Sequence, residues 1–84
     1  MKLVFADAAW EDYLYWQKQD RKMVERINKL IRDIQREPYS GVGKPEPLKH
    51  ALSGFWSRRI TDEHRIVYRV EDDELQIVQL RFHY

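Results

Sequence analysis

The sequence has no cysteine, and its 84 residues include only three glycines, three prolines and no long apolar run. Without cysteine there is no disulfide and no thiolate metal site, and the three histidines lack a zinc-like spacing. No apolar stretch is long enough to cross a bilayer, and the short one after Met1 is followed by acids, unlike a signal peptide. These absences favour a soluble cytoplasmic protein without a membrane partner.

An excess of one charge is also absent, because 15 basic residues balance 14 acidic ones to a formal net charge of +1. The two signs are mixed in residues 1–37. In residues 38–84, six of the seven acids form clusters at 62–63 and 71–74, with arginines between them. Such segregation can create a basic face on a nearly neutral molecule, which would suit a nucleic acid.

The apolar content is sufficient for one core, since 43% of the residues are hydrophobic and 13% are aromatic. We therefore expect a single domain over residues 1–84. A short apolar run predicts a first strand at residues 2–5. Apolar residues at helical spacing predict a helix over about residues 8–19 with Asp7 as its N-cap. A second helix should run from a cap at Asp20 to about Arg36, because Glu37 precedes a proline.

Three strands follow, at residues 55–60, 65–70 and 75–84, and the last is expected to run to the final residue, anchored in the sheet. The short turns between them predict an antiparallel meander. The resulting order is β-α-α-β-β-β. We expect an α+β fold in which a two-helix hairpin packs on one face of a mainly antiparallel sheet.

Period-two alternation predicts which strand residues face the helices. The predicted core face consists of Trp56, Ile60, Ile66, Tyr68, Val70, Val78, Leu80 and Phe82. The predicted open face consists of Arg59, Arg65, Val67, Arg69, Ile77, Gln79, Arg81 and His83. Arg58 breaks the pattern and is expected at an edge or near a bulge. A single strand arginine usually meets only solvent, but four on one face without neighbouring acids favour an anion-binding surface.

Glu46 lies in the only long irregular stretch, residues 38–50, between Pro45 and Pro47. The two prolines stiffen the backbone around it. Glu46 is therefore either an ordinary exposed charge on a turn or a pre-positioned base, since loops on a rigid scaffold often carry functional residues.

These residues suit cleavage of RNA by acid–base chemistry that requires neither a metal nor a cofactor. Glu46 is the candidate base for the 2′-OH proton, His83 the candidate acid for the leaving 5′ oxygen, and Arg65 the candidate charge stabiliser. Tyr84 could stack on or orient a base. The candidates for contact with flanking phosphates are Lys49, Arg59 and Arg81.

With these residues the chain resembles the YoeB-type toxins, the Txe/YoeB branch of the RelE superfamily, of bacterial type II toxin–antitoxin systems. The resemblance covers nearly the full length. It is carried by Met1-Lys2-Leu3, by residues 10–16 (WEDYLYW), 43–49 (GKPEPLK), 52–60 (LSGFWSRRI) and 64–68 (HRIVY), and by His83-Tyr84. Each segment alone is unspecific, but all of them in order in one short chain are specific.

The resemblance implies a RelE-like, microbial-ribonuclease-like fold and cleavage of mRNA in the A site of the 70S ribosome. It implies a cognate YefM/Phd-like antitoxin, through which alone the toxin would contact operator DNA, and it leaves homodimer formation open. The implied roles are Glu46 as base, Arg65 as charge stabiliser, His83 as acid and Tyr84 in substrate orientation, with Lys49 and Arg59 at phosphate-contact positions.

Two interpretations without catalysis stay open, namely an RNA-binding module and an interaction domain whose arginine face docks an acidic peptide. Neither needs the His83-Tyr84 end. A module that only binds RNA should tolerate Glu46→Gln and His83→Ala, but it should lose salt-dependent binding when Arg59 or Arg65 is removed.

Overall fold

The structure is a computed structural model that describes residues 1–83. Its elements are β1 (Lys2–Phe5), α1 (Asp7–Gln19), α2 (Arg21–Arg36), β2 (Glu46–Pro47), β3 (Trp56–Arg59), β4 (Arg65–Glu71) and β5 (Glu74–Gln79), with a 3₁₀ turn at His50–Leu52. The predicted order is confirmed, and the two-residue strand β2 is an addition to it. Within residues 1–83, no helix is both long enough and apolar enough to cross a membrane.

The five strands form one sheet in the order β1-β5-β4-β3-β2. Strands β2 to β5 pair antiparallel with their neighbours in sequence, as short turns require. The helical hairpin carries the chain from β1 to β2 at the opposite edge, and the meander then returns to β5, which pairs with β1 in parallel. The predicted α+β class with a mainly antiparallel sheet is therefore confirmed.

The boundaries of α2 follow from local sequence. Asp20 accepts hydrogen bonds from the backbone N–H groups of Lys22 and Met23, at 3.0 and 3.4 Å, and so caps the helix. The helix ends at Arg36 because Glu37, before a proline, is extended with φ −148°. Both predicted ends of α2 are confirmed.

The start of α1 differs from the prediction. Ala6 occupies the N-cap position without a side-chain hydrogen bond, and Asp7 is the first helical residue. Its carboxylate still lies in the first turn, where the helix dipole favours a negative charge. The role of Asp7 as an N-cap is therefore wrong, although the helix begins within one residue of the expected place.

The core lies between the two helices and one face of the sheet. Helix α2 contributes five buried apolar residues, which recur at the helical period along one face, and α1 contributes two. The buried core residues of the helices are Ala9, Trp16, Met23, Ile27, Leu30, Ile31 and Ile34. Those from the sheet side are Ile60, Ile66, Tyr68, Leu75, Ile77 and Leu80, with Trp56 and Val70 packed against them.

The predicted core face is right for β3 and β4 but wrong for β5 up to Val78. The odd positions Leu75 and Ile77 are fully buried in the core, whereas the alternation predicts Ile77 on the open face. Phe82, predicted in the core, is 57% exposed. Moreover, β5 ends at Gln79 instead of running to the last residue. Leu80, just beyond the strand, is buried as predicted.

A bulge in β5 causes this inversion. Val67 pairs with Gln79, but the next residue of β4, Tyr68, pairs with Ile77, which leaves Val78 as an extra residue. Residues on each side of the bulge alternate normally, but the extra residue exchanges the two faces. A strict period-two pattern cannot show such an insertion.

Arg58 lies within β3 and is fully buried, so its predicted place at an edge or bulge is wrong. Its hydrogen-bond acceptors are Asp33 Oδ2 (2.6 Å), the carbonyl oxygens of Glu37, Ser40 and Val42 (2.6, 2.9 and 3.1 Å) and the Tyr68 hydroxyl (3.2 Å). Because the buried charge is both paired and hydrogen-bonded, the interior tolerates it. Arg58 thereby ties the loop after α2 to the sheet.

Candidate active site

A row of directly paired residues crosses the sheet on the face away from the helices. The row is Glu46 on β2, Ser57 on β3, Val67 on β4 and Gln79 on β5. Residues directly opposite in antiparallel strands share a face. Since neighbouring strands lie about 4.8 Å apart, the row spans about 14 Å. Ser57 and Val67, each 1% exposed, form its floor between the two ends.

Glu46 lies at the edge of the sheet, on a short strand instead of the predicted loop. Its register partner is Ser57, and the Leu48 N–H continues the pairing by donating to the Phe55 carbonyl oxygen at 2.9 Å. Pro47 is tolerated in this strand because β2 is an edge strand. The side chain of Glu46 is exposed, so a substrate can approach the carboxylate.

Arg59 and Arg65 form the next pair along β3 and β4 on the same face. Arg59 is exposed, while Arg65 is only 8% exposed. Like charges directly across two strands repel, and a bound anion would relieve the repulsion. The Nη1 group of Arg65 donates to the carbonyl oxygens of Thr61, Asp62 and His64, at 2.7, 3.0 and 3.2 Å. These bonds hold the guanidinium in one orientation.

The remaining two arginines of the predicted basic face do not join this pair. Arg69 donates from Nε to Gln76 Oε1 at 2.6 Å and lies 3.6 Å from the Glu71 carboxylate, so its charge already has partners. Arg81 lies beyond β5, and its guanidinium stacks over the Tyr15 ring of α1 at 3.6 Å. Its predicted position on the open face is therefore wrong, and its contact with a phosphate stays a prediction.

The segment of residues 80–83 follows β5 and ends with His83 near Arg65, at the start of β4 on the open face. The Phe82 carbonyl oxygen accepts the Arg65 N–H at 3.0 Å, and His83 Nε2 lies 3.1 Å from the Asp62 carbonyl oxygen. The segment is therefore anchored beside the turn before β4, and not as a continuation of β5. Tyr84 lies outside the described residues, so its role stays a prediction.

Two residues of α1 that sequence reasoning missed hold the start of this segment. Asp12 Oδ2 accepts the Leu80 N–H at 3.0 Å, and Trp16 Nε1 donates to the Leu80 carbonyl oxygen at 2.9 Å. Both residues lie in the segment 10–16 that carries the family resemblance. An acid and an indole N–H on a helix predicted to pack on the sheet were the available signal.

The side chain of Gln79 holds the rest of the segment from the open face. Its Nε2 group donates to three carbonyl oxygens, those of Arg81, Phe82 and His83, at 2.8, 3.2 and 3.1 Å. The predicted open-face position of Gln79 is right. Its side chain shapes the backbone that carries His83, which alternation alone does not indicate.

Lys49 lies on the Glu46 side of the site. It borders a surface pocket of about 430 Å³ that is lined by Glu46, Pro47, Leu48, Lys49, His50 and Leu52. An exposed ammonium group there adds positive charge next to the carboxylate. No group of three or more His, Asp or Glu side chains within residues 1–83 is arranged to hold a metal ion.

A family model described as the YoeB-like toxin of bacterial type II toxin–antitoxin systems matches residues 5–84. The chain belongs to this family. The resemblance inferred from the sequence segments is thus confirmed. Among the relatives of this YoeB-like toxin, Toxin YoeB of Escherichia coli (strain K12) is 61% identical over 84 residues, which cover the whole of both chains.

Solved structures of related toxins have the same fold as this YoeB-like chain. The YoeB/ParE toxin from Agrobacterium tumefaciens matches with a TM-score of 0.98 and 56% identity over all of both chains. Two Staphylococcus aureus structures are each 46% identical and cover 100% of this chain and 98% of theirs. One is a heterotetrameric YoeB–YefM complex, with a TM-score of 0.92, and the other is a YoeB dimer, with a TM-score of 0.93.

Proposed function

We propose that this YoeB-like toxin is a ribosome-dependent mRNA endoribonuclease, an mRNA interferase that cuts mRNA in the ribosomal A site and so inhibits translation. One observation carries the proposal. A single sheet face combines the exposed Glu46, the cross-strand pair of Arg59 and Arg65, and His83 at the Arg65 end. Family membership supports it, and residues 1–84 would act as one catalytic domain.

The proposed reaction is attack of a 2′-OH group on the adjacent phosphorus. Glu46 takes the proton of the 2′-OH, the 2′ oxygen bonds to phosphorus, and the bond from phosphorus to the 5′ oxygen breaks. His83 gives a proton to that leaving oxygen, and a 2′,3′-cyclic phosphate remains. This exchange of protons balances without a metal or a cofactor.

Arg65 is the proposed stabiliser of the charge that develops on the phosphoryl oxygens. Its Nη1 bonds to the turn carbonyls fix the guanidinium before substrate arrives, and preorganised donors of this kind contribute most to such reactions. The flanking phosphates would meet Lys49 and Arg59, and Arg81 would reach a phosphate only after leaving the Tyr15 ring. Tyr84 would orient the base next to the cut.

The proposed partners come from the relatives. Because S. aureus YoeB forms a complex with YefM, we infer that a YefM/Phd-like antitoxin neutralises this toxin and provides its only link to operator DNA. The S. aureus YoeB dimer supports a homodimer here. The substrate would be mRNA and a further partner the 70S ribosome, which would put the activity in the cytoplasm.

Primer extension on a defined mRNA in a translation extract tests the proposal. Wild type, Glu46→Gln and His83→Ala are compared with and without ribosomes. We expect a cut in the A-site codon that needs ribosomes and is lost in both variants. The control is Glu25→Gln, an exposed acid of α2 away from the sheet face, which should cut like wild type.

Other outcomes identify the alternatives. A cut on naked RNA would indicate a general ribonuclease that uses the same residues. Undiminished cutting by His83→Ala would overturn the acid role. If folded wild type made no cut at all, a non-catalytic module that binds RNA or an acidic peptide would be left.

A further inference from the structure

We propose that His64 is a positioning residue for His83, a role that rests on the proposed function of His83 as general acid. The Nδ1 atom of His64 accepts the backbone N–H of Phe82 at 2.8 Å. Phe82 is the residue immediately before His83. The bond therefore restrains the backbone from which the imidazole of His83 projects.

The conformation of Phe82 indicates that this restraint is needed. Its φ is +63°, a region that an L-residue with a large side chain rarely adopts. Phe82 is 57% exposed, so burial does not explain its conformation. Instead, two consecutive residues bind the backbone of Phe82. His64 Nδ1 accepts its N–H, and the Arg65 N–H donates to its carbonyl oxygen at 3.0 Å. Such a strained residue persists only where its surroundings over-determine it.

His64 is itself held in place by α1 and by its own turn. The imidazole ring of His64 packs edge-to-face on the Trp16 ring, with 4.9 Å between the ring centroids. The backbone N–H of His64 donates to Thr61 Oγ1 at 3.2 Å. Trp16 in turn donates to the Leu80 carbonyl oxygen. An acceptor at Nδ1 requires that the proton of the neutral ring be on Nε2. The direction of Nδ1 is thus set by packing, as a supporting residue of a catalytic site requires.

Loss of the bond should release Phe82 toward ordinary extended backbone and move His83. In the wild-type structure, His83 Nε2 lies 3.1 Å from the carbonyl oxygen of Asp62, two residues before His64. The same turn therefore sets the distance between His83 and Arg65. A displacement of about 1 Å in a catalytic group can cost on the order of 100-fold in rate.

The bond itself can be measured without any activity. In uniformly ¹⁵N-labelled wild type at mildly alkaline pH, an N–H···N hydrogen bond gives a scalar coupling between the two nitrogens. We expect this coupling between the Phe82 amide nitrogen and His64 Nδ1. Its absence would overturn the proposal.

The kinetic test compares His64→Asn with His64→Leu. Asparagine can place Oδ1 near the position of Nδ1 and accept the Phe82 N–H, whereas leucine keeps an apolar contact with Trp16 but offers no acceptor. We expect His64→Leu to lower ribosome-dependent cleavage by about 10- to 100-fold and His64→Asn to retain most of it. A role in packing alone would give the reverse order.

The same variants in the His83→Ala background show whether His64 acts through His83. We expect no further loss there, because residues that act as a unit are not additive. An equal fold-loss from His64→Leu in both backgrounds would overturn the proposal, and thermal unfolding confirms that each variant is folded. His83 is not the general acid if the His83→Ala single variant cuts as well as wild type. In that case the positioning role of His64 fails too, even when the coupling between Phe82 N and His64 Nδ1 is observed.

Discussion

The carboxylate of Asp33 lies between the Val42 N–H, which donates to Oδ2 at 3.0 Å, and the guanidinium groups of Arg36 and Arg58. These donors, the Val42 N–H first, lower the pKa of Asp33 from 3.8 to about 2. Arg58 is fully buried, and a buried cation is tolerated only when it is paired. At the scale of single residues, the ionised state of Asp33 therefore stabilises the fold.

The pH dependence of stability should reflect this lowered pKa. Between pH 3.8 and about 2 the unfolded state binds more protons at Asp33 than the folded state does. The stability from the ionised carboxylate is therefore present above pH 3.8 and is lost as the pH falls through this window. We expect the free energy of unfolding of wild type to fall more steeply there than that of Asp33→Asn, measured by urea unfolding.

The matched control is Asp72→Asn, at an exposed acid of the turn before β5. It makes the same chemical change without touching Arg58. We expect its slope to follow that of wild type. An Asp33→Asn protein with the slope of wild type would show that the carboxylate of Asp33 does not provide the linkage.

At the scale of elements, the loop between α2 and β2 is shaped by the buried guanidinium that its carbonyl oxygens surround. Gly41 has φ +124°, and a Cβ atom there would overlap the Asp33 carboxylate and lie 3.2 Å from Arg58 Nη1. Gly54, before β3, also has a positive φ, of +95°, but a Cβ atom there would meet nothing within 4 Å. The two glycines therefore share the backbone constraint and differ in the contact.

Substitution of these two glycines by alanine separates strain from overlap. Gly54→Ala should lower the free energy of unfolding by about 1–2 kcal/mol, for the left-handed backbone alone. Gly41→Ala should cost roughly 1–3 kcal/mol more, because the Asp33–Arg58 pair must shift. Urea unfolding at neutral pH measures both. Equal losses would mean that the loop relaxes without disturbing the pair.

The bulge in β5 is the element that connects the sheet to the candidate site. It places Gln79 on the open face, where its amide binds the carbonyl oxygens of residues 81–83, and it returns Leu80 to the core. Helix α1 then binds both backbone groups of Leu80. Without the extra residue, Gln79 and Leu80 would exchange faces and this anchorage would be lost.

At the scale of the whole molecule, the parallel pairing of β1 with β5 separates Met1 from residues 80–83. The Lys2 N–H donates to the Asp73 carbonyl oxygen at 2.9 Å, so Met1 lies at the turn that precedes β5. Residues 80–83 follow the opposite end of β5. Residues added before Met1 would therefore be separated from His83 by the length of β5. Residues added after Tyr84 would follow His83 in the chain with only Tyr84 between.

This arrangement predicts different effects of tags at the two ends. A short Gly/Ser extension after Tyr84 should lower ribosome-dependent cleavage at least about tenfold, because it crowds the segment that carries the proposed acid. The same extension before Met1 should leave cleavage near the wild-type rate. Primer extension with both tagged forms checks the difference, and equal activity would contradict the proposed place of His83 in the site.

The sequence by itself determined the two helices and their hairpin, the order of β1 and β3 to β5, and the alternation of β3 and β4. These depend on neighbours a few residues apart, such as the Asp20 cap, the proline after Glu37 and the short turns of the meander. The family segments likewise named Glu46, Arg65 and His83. Only the tertiary structure decided the faces of β5, the buried place of Arg58 and the anchorage of residues 80–83. These features depend on residues far apart in the chain. They are the pairing of β4 with β5 at the bulge, the buried ion pair of Arg58, and the hydrogen bonds of Asp12, Trp16 and His64. A local sequence pattern does not indicate such contacts.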